Sequence, residues 1–162
     1  MNKEEIYELI KSKNIWYEIS EHERVYNMEE LNKINLPYKD CDGKNLFVRD
    51  DKKRNYYLIT VKENKRIDLK EFKNKFNTRS LSFASEDDLM KYLKLSPGSV
   101  TPLGLLNDSD LVVKFYLDKE FLNDECIIGV HPNDNSATLW LKTNDLFDII
   151  KSHGSEVNIV DL

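Results

Sequence analysis

A lysine and an asparagine, Lys44 and Asn45, stand together immediately before an apolar segment in the run Gly43–Arg49. An ammonium group at the mouth of a pocket can hold a phosphate or stabilise an oxyanion, and a neighbouring amide adds directional hydrogen bonds. A lysine at the edge of a strand is also commonly a solvated surface residue. The residue types alone leave both interpretations of Lys44 open.

A segment rich in proline and glycine, Ser96–Gly104, offers a second place for chemistry, and we call it the proline-glycine loop. Proline restricts the backbone, and Gly98 has no Cβ, so a ligand can approach the backbone and accept a hydrogen bond from its N–H. Such a loop can form an oxyanion hole or an anion-binding nest. The same composition is typical of a purely structural turn, and the spacing does not decide between the two.

A histidine, His131, follows the apolar segment Cys126–Val130 and precedes Pro132. This order predicts an imidazole at the end of a strand. Catalytic histidines are often found at such positions, and so are histidines that only cap the chain.

Several common catalytic and cofactor motifs are missing from the sequence. The five glycines cannot assemble a dinucleotide-binding or P-loop motif, and neither a GxSxG nor an HExxH motif occurs. The three histidines and two cysteines are widely spaced. We therefore expect no metal, no cofactor and no disulfide.

Hydrophobic periodicity and capping residues predict the elements that must position these groups. Helices are predicted at Glu4–Lys11, from Asn27 to about Ile34, after Asp68, after Ser85, and over Thr143–Lys151. Strands are predicted at Trp16–Ile19, Leu46–Arg49, Tyr56–Val61, Leu111–Leu117, Cys126–Val130, Thr138–Leu141 and Val157–Val160. Because several strands follow one another without an intervening helix, we predict an α+β fold. It has a mixed, largely antiparallel central sheet with helices packed around it, in a single domain over 1–162.

Composition and charge restrict the class of protein. The 162 residues are 40% hydrophobic and 33% charged, which is typical of a folded, soluble chain. No apolar run is long enough to span a bilayer, and the charged, helix-patterned start does not resemble a signal peptide. We expect a cytoplasmic protein without a membrane partner.

The charge is distributed unevenly along the chain. The net charge is −5, yet Lys44–Arg79 holds 12 basic and 5 acidic residues, whereas residues 81–162 hold 6 basic and 14 acidic residues. The basic segment is either an ordinary solvated face or the footprint of a polyanion such as RNA.

Three motifs resemble the bacterial aminoacyl-tRNA deacylases, and more narrowly the free-standing relatives of the prolyl-tRNA synthetase editing domain. They are Lys44–Phe47, the long segment Pro97–Asp108 and the pair His131-Pro132. The similarity covers nearly the whole chain, and the glycine-proline segment is its most specific element. Relatives often have His-Pro where this sequence has His22-Glu23.

The resemblance implies a metal-free enzyme that hydrolyses the ester of alanine wrongly attached to proline tRNA. In similar proteins, residues that match Lys44, Gly98 and His131 hold the substrate, offer a backbone N–H and complete the pocket. We therefore expect these three groups to converge on one cavity sized for a methyl side chain. The resemblance also implies that a ribose hydroxyl of the tRNA helps to activate the water.

The resemblance further implies a set of substrate-binding residues and two partners. The set is Asn45, Ser99, Thr101, Val25, Met28 and Phe47. The expected partners are the aminoacylated end of a tRNA and, in addition, prolyl-tRNA synthetase. Two alternatives stay open: a deacylase for cysteine or serine on another tRNA, and a non-catalytic module that binds tRNA.

Overall fold

The chain folds into two β-sheets with helices packed around them, over residues 1–24, 29–30, 35–123 and 127–162 that the computed structural model describes. The helices are α1 (Lys3–Ser12), α2 (Leu69–Phe76), α3 (Glu86–Leu93) and α4 (Thr143–His153). The strands are β1 (Tyr17–Glu21), β2 (Gly43–Asp50), β3 (Tyr56–Lys62), β4 (Leu81–Phe83), β5 (Val113–Asp118), β6 (Ile127–Val130), β7 (Ala137–Lys142) and β8 (Val157–Val160). Short 3-10 helices cover Lys39–Cys41, Pro102–Asn107 and Lys119–Leu122.

The larger sheet has five strands in the order β4-β2-β3-β5-β8. Strand β2 runs antiparallel to both β4 and β3, whereas β3, β5 and β8 are parallel. The smaller sheet is antiparallel, in the order β1-β7-β6. This arrangement confirms the predicted α+β class with mixed and antiparallel pairing, and it divides the strands between two sheets.

Local capping explains where three of the helices begin or end. The Asp68 carboxylate accepts from the backbone N–H of Lys70 at 2.8 Å, and the Ser85 hydroxyl accepts from the N–H of Asp88 at 3.1 Å, so both predicted N-caps are confirmed. Gly154 ends α4 with a φ of 111°, a left-handed conformation that favours glycine.

Some elements differ from the predictions. Strand β4 was not predicted, because two of its three residues are exposed and its pairing with β2 holds it in place. Of the helix predicted from Asn27 to about Ile34, only Glu29 and Glu30 are described, and both are helical. The other residues of that helix, and Cys126 at the start of a predicted strand, lie outside the described residues.

The five-stranded sheet has two faces with different surroundings. Phe47 and Leu58 pair across β2 and β3 on the face that we call inner, where they join the largest hydrophobic core with the smaller sheet. Val48 and Ile59 lie on the opposite, outer face, which packs against Phe72 of α2. Because successive side chains of a strand point to opposite faces, each residue of β2 is assigned to one of these environments.

Two features are absent from the part of the chain that the structure describes. None of its helices is long and apolar enough to cross a membrane. The same residues contain no group of three or more histidine, cysteine or acidic side chains that could hold a metal ion.

Close packing of a glycine against an indole makes a first prediction. Gly129 of β6 pairs with Trp140 of β7, and a Cβ at position 129 would lie 2.7 Å from Cε3 of the fully buried indole. We expect Gly129→Ala to lower the free energy of unfolding by about 1–3 kcal/mol in urea denaturation, because overpacking forces neighbours to move. In a Trp140→Leu background the same change should cost less, and an equal cost would contradict this explanation.

Candidate active site

Asn45 connects the larger sheet to the proline-glycine loop. Its position in β2 places the side chain on the inner face, opposite Thr60 of β3. The Asn45 Nδ2 donates to the Val100 carbonyl at 3.2 Å, and the Thr60 hydroxyl donates to Asn45 Oδ1 at 2.6 Å. Both ends of the amide are therefore bonded, and its orientation is determined.

The loop begins with a tight turn that requires glycine. The Ser99 N–H donates to the Ser96 carbonyl at 3.1 Å, and Gly98 has a φ of 88°. Proline at the second position and glycine with positive φ at the third are typical of a type II turn. The backbone N–H groups of Gly98 and Val100 donate to no group among the residues described.

Thr101 joins the loop to the residue after β6. Its hydroxyl donates to the His131 carbonyl at 2.6 Å and accepts from the Leu103 N–H at 3.3 Å, which caps the 3-10 helix that follows. Thr101 is fully buried, and Ser99 is 4% exposed. Because a buried hydroxyl without partners is costly, these bonds hold the loop against the end of β6.

His131 is held in one tautomer by the chain around it. Its Nδ1 lies 2.9 Å from the Ala137 carbonyl, which can only accept, so Nδ1 carries the proton and the Nε2 lone pair is free to accept one. Burial lowers the pKa of His131 below its ordinary value, and the neighbouring His22 acts in the same direction. The imidazole is therefore kept neutral, which suits it to hold a hydroxyl group or a water molecule.

A second imidazole lies beside the first. The ring centroids of His22 and His131 are 6.4 Å apart, and the rings meet in an edge-to-face arrangement. His22 Nδ1 lies 2.7 Å from the Glu23 carbonyl, and Nε2 lies 3.1 Å from the Thr138 hydroxyl. The backbone carbonyl sets the tautomer, so Nε2 accepts from Thr138. In the sequence, only the resemblance to relatives at His22-Glu23 drew attention to His22.

Lys44 does not point towards this cluster. It pairs with Val61 on the outer face, and its ammonium donates to the backbone carbonyl of Lys65 in the turn after β3. Burial, followed by the nearby Arg66, lowers the pKa of Lys44 below its ordinary value, and Glu63 opposes the shift. The hydrogen bonds thus unite Asn45, the loop and His131, and they hold the Lys44 ammonium on the other face.

The remaining residues of the predicted set fall into two groups. Phe47 is 6% exposed and stacks on Tyr56 with ring centroids 5.8 Å apart, so in this structure it packs in the core. Val25 and Met28 lie outside the described residues.

Thr60 was missed by the sequence analysis, although its hydroxyl orients Asn45. The signal was a single polar residue inside the apolar strand Tyr56–Val61. A buried hydroxyl in such a strand must find a partner, and in this fold the partner is Asn45.

Comparison with known proteins identifies a family whose model includes the residues of this site. The family model described as the aminoacyl-tRNA editing domain matches residues 22–149, a range that contains the whole cluster. The prolyl-tRNA editing protein ProX of Acetoanaerobium sticklandii is 44% identical over 146 residues, which cover 90% of this chain and 88% of that protein. The prolyl-tRNA synthetase associated domain-containing protein 1 of Mus musculus is 35% identical over 147 residues, covering 89% and 86%.

A solved structure extends the likeness to the fold. The crystal structure of a proposed trans-editing enzyme for prolyl tRNA synthetase matches with a TM-score of 0.68 at 16% identity. The match covers 99% of this chain and 96% of that one. At this identity the comparison shows a common fold.

The buried imidazole makes a prediction about pH. Since the pKa of His131 is lowered on folding, the unfolded chain binds more protons between the folded and unfolded pKa values, and stability falls as the pH decreases through that window. We expect His131→Asn to reduce the loss of unfolding free energy between about pH 7 and pH 5, measured by urea denaturation at each pH. An unchanged slope in His131→Asn would contradict the prediction.

Proposed function

This chain belongs to the aminoacyl-tRNA editing domain family, and we propose that it removes alanine wrongly attached to proline tRNA. Editing of an aminoacyl-tRNA breaks the ester between the amino acid and the ribose, so the chain is an aminoacyl-tRNA deacylase, a hydrolase. The observation that supports the proposed site best is the hydrogen-bonded union of Asn45, the proline-glycine loop and His131. The proposal treats residues 1–162 as one editing domain.

In the proposed reaction, water attacks the carbonyl carbon of the ester. The carbonyl oxygen gains negative charge and the bond to the ribose oxygen breaks. One proton of the water goes to the ribose oxygen, the other is released to solvent, and the amino acid departs as a carboxylate. The N–H groups of Gly98 and Val100 donate to the developing oxyanion. Fixed donors of this kind need no reorganisation as the charge forms. An ester is sufficiently activated for this chemistry without a covalent nucleophile from the protein.

His131 has a positioning role in this proposal. Its free Nε2 accepts a hydrogen bond from the ribose hydroxyl that helps to activate the water. The proton on Nδ1 is fixed by the Ala137 carbonyl, so the ring presents an acceptor to the substrate.

Lys44 is proposed to hold the substrate through its charge. The ammonium has the carbonyl of Lys65 as its partner, and it would exchange this neutral group for a phosphate oxygen of the terminal nucleotide. A charge-assisted bond to phosphate is stronger than one to a neutral carbonyl, so the exchange is favourable when tRNA is bound.

Selectivity is proposed to come from exclusion. A synthetase pocket built for proline rejects a smaller apolar amino acid by only about 1–3 kcal/mol, so a second site is needed to remove it. A pocket that admits alanine and excludes proline spares the correct product. We propose that Val25 and Met28 form its wall together with Asn45 and the loop.

The proposal also includes two partners and a cellular location. The relative from Acetoanaerobium sticklandii is named for prolyl-tRNA editing, which supports tRNA(Pro) as the partner here. Docking on prolyl-tRNA synthetase and a cytoplasmic location, where aminoacylated tRNA is made, belong to the same proposal. Co-sedimentation with the synthetase, with and without tRNA, tests the docking step.

The first test is a panel of charged tRNAs. Incubation with alanyl-tRNA(Pro) should release alanine while prolyl-tRNA(Pro) stays intact, because the pocket excludes the larger ring. Seryl and cysteinyl esters on their own tRNAs should be cleaved more slowly than the alanyl ester. Preference for either would move the assignment to another deacylase, and binding of all tRNAs without cleavage would indicate a non-catalytic module.

The second test removes the proposed substrate cation. We expect Lys44→Ala to lower kcat/KM for alanyl-tRNA(Pro) by about 100-fold, mainly through a higher KM, because the variant loses a charge-assisted contact to a substrate phosphate. Lys62→Ala is the matched control, because Lys62 lies at the same end of the sheet, opposite Gly43, and carries the same charge. Circular dichroism should show both variants folded. Equal rates for Lys44→Ala and the control would assign Lys44 to the solvated surface.

A further inference from the structure

Two of the five acidic residues in the basic segment Lys44–Arg79 are bonded to nearby groups of the same segment, whereas Glu71 of α2 is exposed. Asp50 is 1% exposed and accepts from the Arg54 N–H and the Asn55 amide. Asp68 caps α2. Because the segment holds 12 basic and 5 acidic residues, an excess of positive charge remains after these carboxylates are counted.

Most cations of the same segment have no carboxylate partner among the described residues, and five of them lie in the turn after β2 or on one side of α2. They are Lys52, Lys53 and Arg54 in the turn between β2 and β3, and Lys70 and Lys73 on α2. None of the five forms an ion pair within the part of the chain that the structure describes. We call these five residues the basic surface.

Lys70 and Lys73 line a cavity suited to an anion. They lie three residues apart, so their side chains share one side of the helix. The cavity, of about 250 Å³, contains no carboxylate in its lining, which consists of Leu69, Lys70, Lys73, Asn74, Ser80 and Leu81. Two ammonium groups, an amide and a hydroxyl are the donors that bind phosphate oxygens.

An ion pair joins the cavity to the basic turn. Arg79 donates from Nε and from a terminal nitrogen to the two oxygens of Asp51, at 2.6 and 3.0 Å. Asp51 directly precedes Lys52, and Arg79 directly precedes Ser80 of the cavity wall. The two-point contact therefore joins the turn that carries three of the cations to the segment that forms one wall of the cavity, and it uses the Asp51 carboxylate in doing so.

The basic surface lies at the far end of β2 from the proposed active site. Asn45 is near the start of the strand, and Asp51 follows its last residue. Six residues of strand span about 20 Å. Nucleic-acid phosphates recur roughly every 3.4 Å along each strand of a duplex, so this distance covers several nucleotides.

We propose that the basic surface binds the phosphate backbone of the tRNA, several nucleotides away from the aminoacylated end. This inference rests on the proposed function, because the bound ester fixes which part of the RNA can reach the surface. RNA is favoured over an acidic protein because the cations extend along one direction from the site where an RNA end is proposed to bind. Contacts to phosphates add affinity without reading the amino acid.

The test compares two double variants with equal loss of charge. Lys70→Ala/Lys73→Ala should bind deacylated tRNA(Pro) roughly 10-fold more weakly, and its salt dependence, as log K against log salt, should be shallower by about 1.5. Lys11→Ala/Lys13→Ala removes two exposed lysines from the end of α1 and should behave as wild type. Lys70→Ala/Lys73→Ala should raise KM for alanyl-tRNA(Pro) and leave kcat unchanged.

A minimal substrate separates this inference from the proposed function. The alanyl ester of the trinucleotide CCA cannot reach the basic surface, so wild type and Lys70→Ala/Lys73→Ala should cleave it equally. If the wild-type protein cleaves neither substrate, the proposed function is refuted. The binding experiment would still show whether the basic surface binds tRNA. Equal tRNA affinity and salt slope in both double variants would overturn the inference. So would lysine-dependent binding of polyglutamate in place of tRNA.

Discussion

The two-residue alternation of β2 is the constraint on which the site depends. It directs Asn45 to the inner face, where the amide meets the loop, and it directs Lys44 to the outer face, where the ammonium meets the Lys65 carbonyl. A slip of one residue in the register with β3 would exchange these two side chains and would also move Phe47 out of the core. The pairing of Phe47 with Leu58 and of Val48 with Tyr57 therefore fixes the site by fixing the register.

The same alternation separates two tasks. The inner face presents neutral donors and acceptors, namely the Asn45 amide, the loop backbone and the His131 ring. The outer face carries Lys44 and packs against α2. In the proposed reaction, the groups that would hold the ester and the cation that would hold a phosphate therefore lie on opposite faces of one strand. Neutral donors suit an oxyanion that forms only in the transition state, whereas cations suit phosphates that are charged throughout.

The sequence predicts the parts of the fold that depend on neighbouring residues. The caps at Asp68 and Ser85, the glycine after α4 and the apolar strand β3 follow from local patterns, and all are present. The division of the strands into two sheets and the existence of β4 depend on pairing between distant segments. Periodicity does not encode such pairing, so neither could be predicted.

The candidate site shows the same division between local and distant information. The turn at Gly98 follows from Pro97 and Gly98 alone. The bond between Thr101 and the His131 carbonyl links segments 30 residues apart, and the resemblance predicted only that the two belong together. The direction of Lys44 depends on a carbonyl 21 residues away. Because side chains alternate along a strand, Lys44 and Asn45 point to opposite faces. The carbonyl that accepts from the ammonium is identified only in the folded chain.

The negative net charge is compatible with an RNA substrate because of where the carboxylates are used. An acidic protein repels phosphate at long range, and this repulsion acts on every part of the surface that lacks a local excess of cations. In the basic segment, 12 basic residues outnumber 5 acidic ones, Glu71 of α2 among them, so the segment keeps a local excess of positive charge. Screening reduces the distant repulsion at physiological salt to a range of about 8 Å, which leaves the local surface dominant at contact. On the proposed binding mode, the acidic remainder of the chain would disfavour other orientations of the RNA, so the charge pattern would orient the substrate as well as attract it.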